Sequence, residues 1–263
     1  MSGLLLTGTI DSGVFNNTNV VVTDTKDRLN QYVNTIIRYI KESNFDKVVF
    51  VENSGYEFPT KHIMSIAEKY KKQFEYIYVK TDIEKTIRLG KSYGEAVLME
   101  YGIKYSELLK EEEFIYKCTG RVFVKNINSL IHKEKNTNQF LAYNNIRYCF
   151  TLFYKISRKD FLEFYTDMGE ECDEKNGRAI EYVMYERTVN NHVKCDRFVL
   201  YPDFCGVCGT DGQRYDCSRL RMFVKNILLV IGEYSVDAKR GKMMDVIFRI
   251  LKMGPKYECN RKR

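Results

Sequence analysis

The stretch FIYKCTGRVFV spans residues 114–124. An apolar run climbs toward what reads as the end of a buried strand. It breaks into Lys117-Cys118-Thr119-Gly120-Arg121 and then turns apolar again. Any polar residues can end a strand that leaves a core, so two cations around a glycine are a narrower choice. Arginine grips a diphosphate with paired N–H donors, and lysine neutralises it as a point charge. Glycine lets the backbone approach a ligand closely. The stretch therefore predicts a strand whose exit recognises an anion, if it stands among parallel strands whose carboxyl ends form a ligand crevice.

The flanking sequence supplies such a set. GLLLTGTI (3–10), DKVVFVENSGY (46–56), FEYIYVK (74–80) and EFIYKCTGRVFVKN (113–126) read as strands. Between them, helices are predicted over 28–43, capped by Asp27, over 60–72 and over about 93–110, where Ser92 and Glu95 have capping-box spacing. NVVVTDT (19–25) reads as a further short strand or extended segment. The alternation predicts an α/β fold: a mostly parallel central sheet with helices on both faces. Three polar exits would then collect along one edge: Thr7-Gly8-Thr9, Glu52-Asn53-Ser54 and Lys117 to Arg121.

The second half is mixed. Strands are expected at 148–157 and 197–204, and helices at 158–172 and 177–189. A Gly- and Cys-containing loop follows at 205–216, and an amphipathic helix at 242–253 leads to the basic end NRKR. Neither an internal repeat nor a linker divides the chain, so a single domain over 1–263 is expected.

The 263 residues carry 42 Lys and Arg against 35 Asp and Glu, a net charge of +7 that favours phosphates, nucleic acid or an acidic membrane surface. Three prolines and 44% hydrophobic residues argue against long disordered linkers. The N-terminus lacks a basic region before its short apolar run, and no apolar stretch reaches membrane-span length. A cytoplasmic protein with reduced thiols is expected. Among the eight cysteines, Cys205 and Cys208 form one C-x-x-C, but Cys195 and Cys217 do not make a second pair, so free thiols are expected rather than zinc.

Gly90-Lys91-Ser92 resembles the end of a P-loop, but Lys85 stands where the first glycine belongs. Lys91 could still meet a phosphate beside a helix N-terminus; otherwise it is a solvated helix-start lysine. Glu181, near the start of a helix, could act as a general base or merely complement the helix dipole. Asp211 is a rival base. His62, His132 and His192 are too scattered for a metal site or a triad.

LLLTGTID, DKVVFVENSGY, GKSYGEAVLMEYGI, IYKCTGRVFVKN and GVCGTDGQRYD, in this order, resemble small bacterial glycosyltransferases of surface polysaccharide (capsule or O-antigen) synthesis. The resemblance implies a GT-A-like domain with a nucleotide-sugar-binding half (1–126) and an acceptor-side half (127–263). It implies transfer of a sugar from a nucleotide-sugar donor to a hydroxyl of a growing, often lipid-linked, oligosaccharide acceptor. Thr9, Glu52, Asn53 and Ser54 would surround the nucleoside, with Gly94, Gly120 and Asp211 also in the donor site. Lys91, Lys117 and Arg121 would hold the diphosphate, and Glu181 would deprotonate the acceptor.

The Asp-x-Asp usual in metal-dependent members is missing, and KCTGR stands in its place. Cations are thus expected to stabilise the leaving group, with no cofactor and no metal. Peripheral contact with an anionic membrane through the 242–253 helix is a further expectation. Two alternatives are a sugar-phosphate nucleotidyltransferase, for which TGTIDSG is a poor Gly-rich loop, and a nucleic-acid-binding protein, for which no motif is present.

Overall fold

The computed structural model describes residues 3–16, 20–209 and 212–236. In chain order the first half contains β1 (Gly3–Gly8), α1 (Thr25–Glu42), β2 (Lys47–Glu52), α2 (Thr60–Lys69), β3 (Gln73–Tyr78), α3 (Ile83–Leu89), α4 (Lys91–Tyr105) and β4 (Phe114–Thr119). It continues through β5 (Val122–Val124), α5 (Ile127–His132), β6 (Asn138–Gln139), β7 (Ala142–Tyr143), β8 (Tyr148–Cys149), β9 (Phe153–Ser157) and α6 (Arg158–Phe164). The last described elements are α7 (Ile180–Asn190), β10 (Cys195–Asp196), β11 (Phe204–Gly206) and α8 (Arg219–Val230).

A 7-stranded sheet runs in the order β10-β6-β9-β4-β1-β2-β3. Strands β4, β1, β2 and β3 are parallel, β9 is antiparallel to both β4 and β6, and β10 is parallel to β6. The fold is α/β with a mostly parallel central sheet, as expected.

The central strands are apolar at consecutive positions because both sheet faces are covered. Leu4 and Leu6 of β1 and Val48 and Phe50 of β2 enter one core with Ile36 and Tyr39 of α1. Leu5, Val49 and Val51 enter the other core, with Leu98, Met99 and Ile103 of α4. Each such side chain contributes about 1.5–3 kcal/mol on full burial.

Several local expectations change. Residues 20–24 form no strand but lead into α1, which begins at Thr25 rather than 28. Its cap is Asp24, whose carboxylate accepts from the Asp27 N–H at 2.8 Å, so Asp27 is a first-turn residue. The single strand read at 113–126 is two: β4 ends at Thr119, and β5 turns away to pair antiparallel with β11. The 148–157 strand is likewise divided into β8 and β9. The stretch 197–204 is irregular up to Phe204, where β11 begins. The 158–172 helix stops at Phe164, before a short 3-10 turn at Met168–Glu171. The 242–253 helix lies outside the described residues.

Candidate active site

The carboxyl ends of β1, β2 and β4 meet, and polar side chains tie them together. The Thr9 hydroxyl donates to Asn53 Oδ1 at 2.7 Å. Glu52 is fully buried, and its Oε1 accepts from the backbone N–H of Ile10 (2.9 Å) and of Ser54 (2.7 Å). Its Oε2 accepts from the Gly55 N–H at 3.0 Å. Ser54 donates its hydroxyl to Glu52 and accepts from the Asp11 N–H at 2.9 Å. The four residues expected around a nucleoside are thus assembled, but Glu52 and Ser54 are taken up in holding the β1 and β2 exits at a fixed spacing.

Two glycines let the backbone close up here. The Gly120 N–H donates to the Thr7 carbonyl at 2.8 Å, and a Cβ at Gly120 would meet that oxygen and the Tyr32 ring at 3.0 Å. A Cβ at Gly94 would stand 3.3 Å from Asn53 Nδ2, so α4 packs directly on the β2 exit.

Beside Gly120 lies the arginine of the opening stretch. Arg121 is only 8% exposed. Its guanidinium stands over the Tyr32 ring, 5.6 Å from the centroid, and donates one hydrogen bond, to Gln31 Oε1 at 3.0 Å. Its Nε is buried without a partner. Among the described residues no carboxylate pairs with it. The loop after β11 lies against it: a Cβ at Gly209 would sit 2.3 Å from one of its terminal nitrogens.

A second buried arginine, Arg28 of α1, stands close enough to matter electrostatically. It donates to the carbonyls of Thr9, Ile10 and Val22. Burial above all, with Arg121 adding repulsion, lowers its pKa, although the Tyr32 hydroxyl opposes this. The sequence reading missed Arg28. Its signal was a cation on the buried face of a helix, one turn before Tyr32.

Lys117 occupies a different place from the one expected. It is 0% exposed, and its ammonium pairs with Glu95 Oε1 and donates to the Thr151 carbonyl at 2.9 Å. Its charge is already matched beneath the crevice, so it supports the site and does not face a diphosphate. Glu95 Oε1 also accepts from the Thr7 hydroxyl at 2.8 Å. The capping box expected for Ser92 and Glu95 does not form, because α4 begins at Lys91. Glu174 caps the helix instead, accepting from the Lys91 N–H (2.9 Å) and the Ser92 hydroxyl (2.7 Å). Gly90, at φ 96°, allows this approach, since a Cβ there would collide with the Glu174 carboxylate. That helix N-terminus already holds an anion, which removes the reason for placing a phosphate beside Lys91.

The seam continues to Glu181 in the first turn of α7. Its Oε1 accepts from the Thr151 hydroxyl at 3.0 Å. Burial raises its pKa above the usual carboxylate value, against opposing effects of its own backbone N–H, Thr151, Lys91 and Tyr148. Thr7, Glu95, Lys117, Thr151 and Glu181 thus form a continuous polar line, joined to Arg121 through the Thr7–Gly120 contact. Glu95 and Thr151 were absent from the expected set. Asp211 lies outside the described residues.

Among the described residues, the exit of β4 itself presents no donor set suited to a divalent metal. It offers a buried, paired lysine, the core residue Cys118, Thr119, Gly120 and Arg121, with no carboxylate pair. Among the described residues no group of three His, Cys, Asp or Glu side chains is placed to hold a metal ion. An open hollow of about 580 Å³ lined by Glu112, Glu113, Arg158 and Leu162 lies at the opposite end of β4 and has no part in this constellation.

No family model and no curated protein matches the chain. Solved structures do. A nucleoside-diphosphate-sugar pyrophosphorylase from Vibrio cholerae RC9 aligns with a TM-score of 0.42 and 13% identity, over 74% of this chain and 90% of that one. The glycosyltransferase GlyE of Streptococcus pneumoniae TIGR4, in its apo form, aligns with a TM-score of 0.45 and 9% identity, over 74% of this chain and 44% of that one.

Proposed function

We propose that the protein is a glycosyltransferase that moves a sugar from a nucleoside-diphosphate donor to a hydroxyl of a growing bacterial surface glycan, without a divalent metal. The observation that carries this reading is that buried Arg121 has no carboxylate partner among the described residues. A guanidinium has five N–H donors, and Arg121 uses one of them among the described residues. A buried charge is costly unless it is paired. A diphosphate seated at the β1–β4 exit would supply both the counter-charge and the missing acceptors, with Arg28 deepening the positive potential. As the bond between sugar and diphosphate breaks, the negative charge gathering on the diphosphate would be met by groups already in place.

Glu181 suits the general base, since burial moves its pKa toward the operating range. It would take the acceptor hydroxyl proton as the new glycosidic bond forms. Glu95, held by Lys117 and Thr7, would fix the sugar side of the crevice. Lys91 remains in the reading only as a charge near Glu181.

The test is thermal shift with a panel of nucleoside diphosphates, followed by donor consumption in the presence of glycan acceptors. Stabilisation by a nucleoside diphosphate and acceptor-dependent consumption are expected. No shift with any nucleoside diphosphate would sink the reading. Release of pyrophosphate from a nucleoside triphosphate and a sugar phosphate would replace it with nucleotidyl transfer.

A further inference from the structure

Helix α8 carries an apolar stripe on its outer side. Leu220, Phe223, Ile227, Val230 and Ile231 recur at helical spacing, and all are exposed, Leu220 at 72% and Phe223 at 63%. The inner side of the same helix is anchored, with Leu228 and Leu229 buried in the core. The stripe therefore belongs to a helix fixed in the fold, and no other described element covers it. Exposed apolar surface of this extent on one helix marks an interaction face.

The charge distribution identifies the partner. Residues 219–263 carry 12 Lys and Arg against 4 Asp and Glu, whereas residues 1–218 carry 30 against 31. The chain's whole positive excess therefore lies in the segment that begins with α8. Arg219 and Arg221 are exposed at the start of the helix. Helix α8 itself carries Arg219, Arg221 and Lys225 and no Asp or Glu, and leucine, isoleucine and phenylalanine on a basic helix are the composition of one that lies in a bilayer interface, with its apolar side among acyl chains and its cations at anionic headgroups. Nucleic acid would use the cations but leave the stripe in water. No described helix is long and apolar enough to cross a membrane, so the contact would be with one face of the bilayer.

We infer that the outer face of α8 docks on an anionic lipid surface. The inference does not depend on the reaction proposed above. The contact uses residues of a helix anchored in the core by Leu228 and Leu229.

The experiment is co-sedimentation of the full chain with vesicles of phosphatidylcholine, alone or mixed with phosphatidylglycerol. Binding to the anionic vesicles that weakens at high salt is expected, with little binding to the neutral ones. The Phe223→Asp, Ile227→Asp variant should lose roughly tenfold or more of that partitioning while keeping its circular dichroism spectrum and melting temperature. If the double variant misfolds, Arg219→Glu with Arg221→Glu should still weaken anionic binding on a folded protein. Absence of binding to anionic vesicles overturns the inference, as does undiminished binding in a folded double variant. Two outcomes without vesicle binding would reassign the stripe: a dimer that the double variant dissociates, meaning a second copy, or a large fall in melting temperature in the double variant, meaning cover by the chain's own C-terminal segment.

Discussion

Replacing Lys117 by Met tests whether the crevice rests on a buried ion pair. Methionine keeps the unbranched shape and removes the charge. The ammonium is fully buried, and its two partners are Glu95 and the Thr151 carbonyl, while the Glu95 side chain is 23% exposed. Breaking a buried pair from one side costs about 3–5 kcal/mol, because the other charge is left behind. Glu95 keeps the Thr7 hydroxyl and some access to water, so about 2–4 kcal/mol is the expected loss. For a chain of this size that corresponds to a fall of about 5–15 °C in melting temperature. Urea unfolding of Lys117→Met, Glu95→Gln and the double variant completes a cycle. A coupling of at least about 1 kcal/mol is expected, because the two groups touch. A loss below about 0.5 kcal/mol in Lys117→Met, a typical surface-substitution effect, would show that the pair does not hold the site together.

Arg121→Ala should weaken nucleoside diphosphate binding by about 1.5–3 kcal/mol, the range of a charge-assisted hydrogen bond, and Arg121→Lys should restore only part of it because the planar fork is lost; titration calorimetry measures both. Glu181→Gln should leave donor binding intact and cut transfer by at least about 100-fold, as loss of a general base does. The same variant gives a stability signature. A carboxyl whose pKa is raised by folding binds its proton more tightly in the native state, so stability falls as pH rises above the ordinary value of 4.5 toward the folded value. Glu181→Gln should flatten that part of the curve and stabilise the protein at neutral pH, read from melting temperatures between pH 4 and pH 8. Transfer should survive EDTA; complete loss restored by Mg²⁺ or Mn²⁺ would require a carboxylate site elsewhere.

The sheet was legible because burial on both faces writes itself as uninterrupted apolar runs, as in Leu4-Leu5-Leu6 and Val48 to Val51. The breaks were not. The sequence is apolar both before Lys117 and after Arg121, and periodicity cannot show that Val122 to Val124 leave the main sheet for β11. That change of partner depends on contacts 80 residues away in the chain. The same limit hid the start of α1, where Asp24 and Asp27 are both good caps and only the path of residues 20–24 decides between them.

At the site, residue type was a better guide than role. Lys117 and Arg121 are four residues apart, so an unbroken strand would place both on one face. Lys117 falls within the regular pleat of β4 and is carried inward to Glu95. Arg121 falls after the strand has ended, where the Gly120 turn releases it from that alternation, and among the described residues it donates to Gln31 alone. Glu95 shows the converse. Ser92 and Glu95 have the spacing of a helix cap, and the sequence contains nothing to contradict that local pairing. The pairing is displaced because Glu174, 82 residues from Ser92, reaches the helix start through the space left by Gly90. That frees Glu95 to face inward, where Lys117 needs a counter-charge. A buried lysine on a parallel strand was the signal that could have led to Glu95, since such a charge must find a carboxylate within the fold.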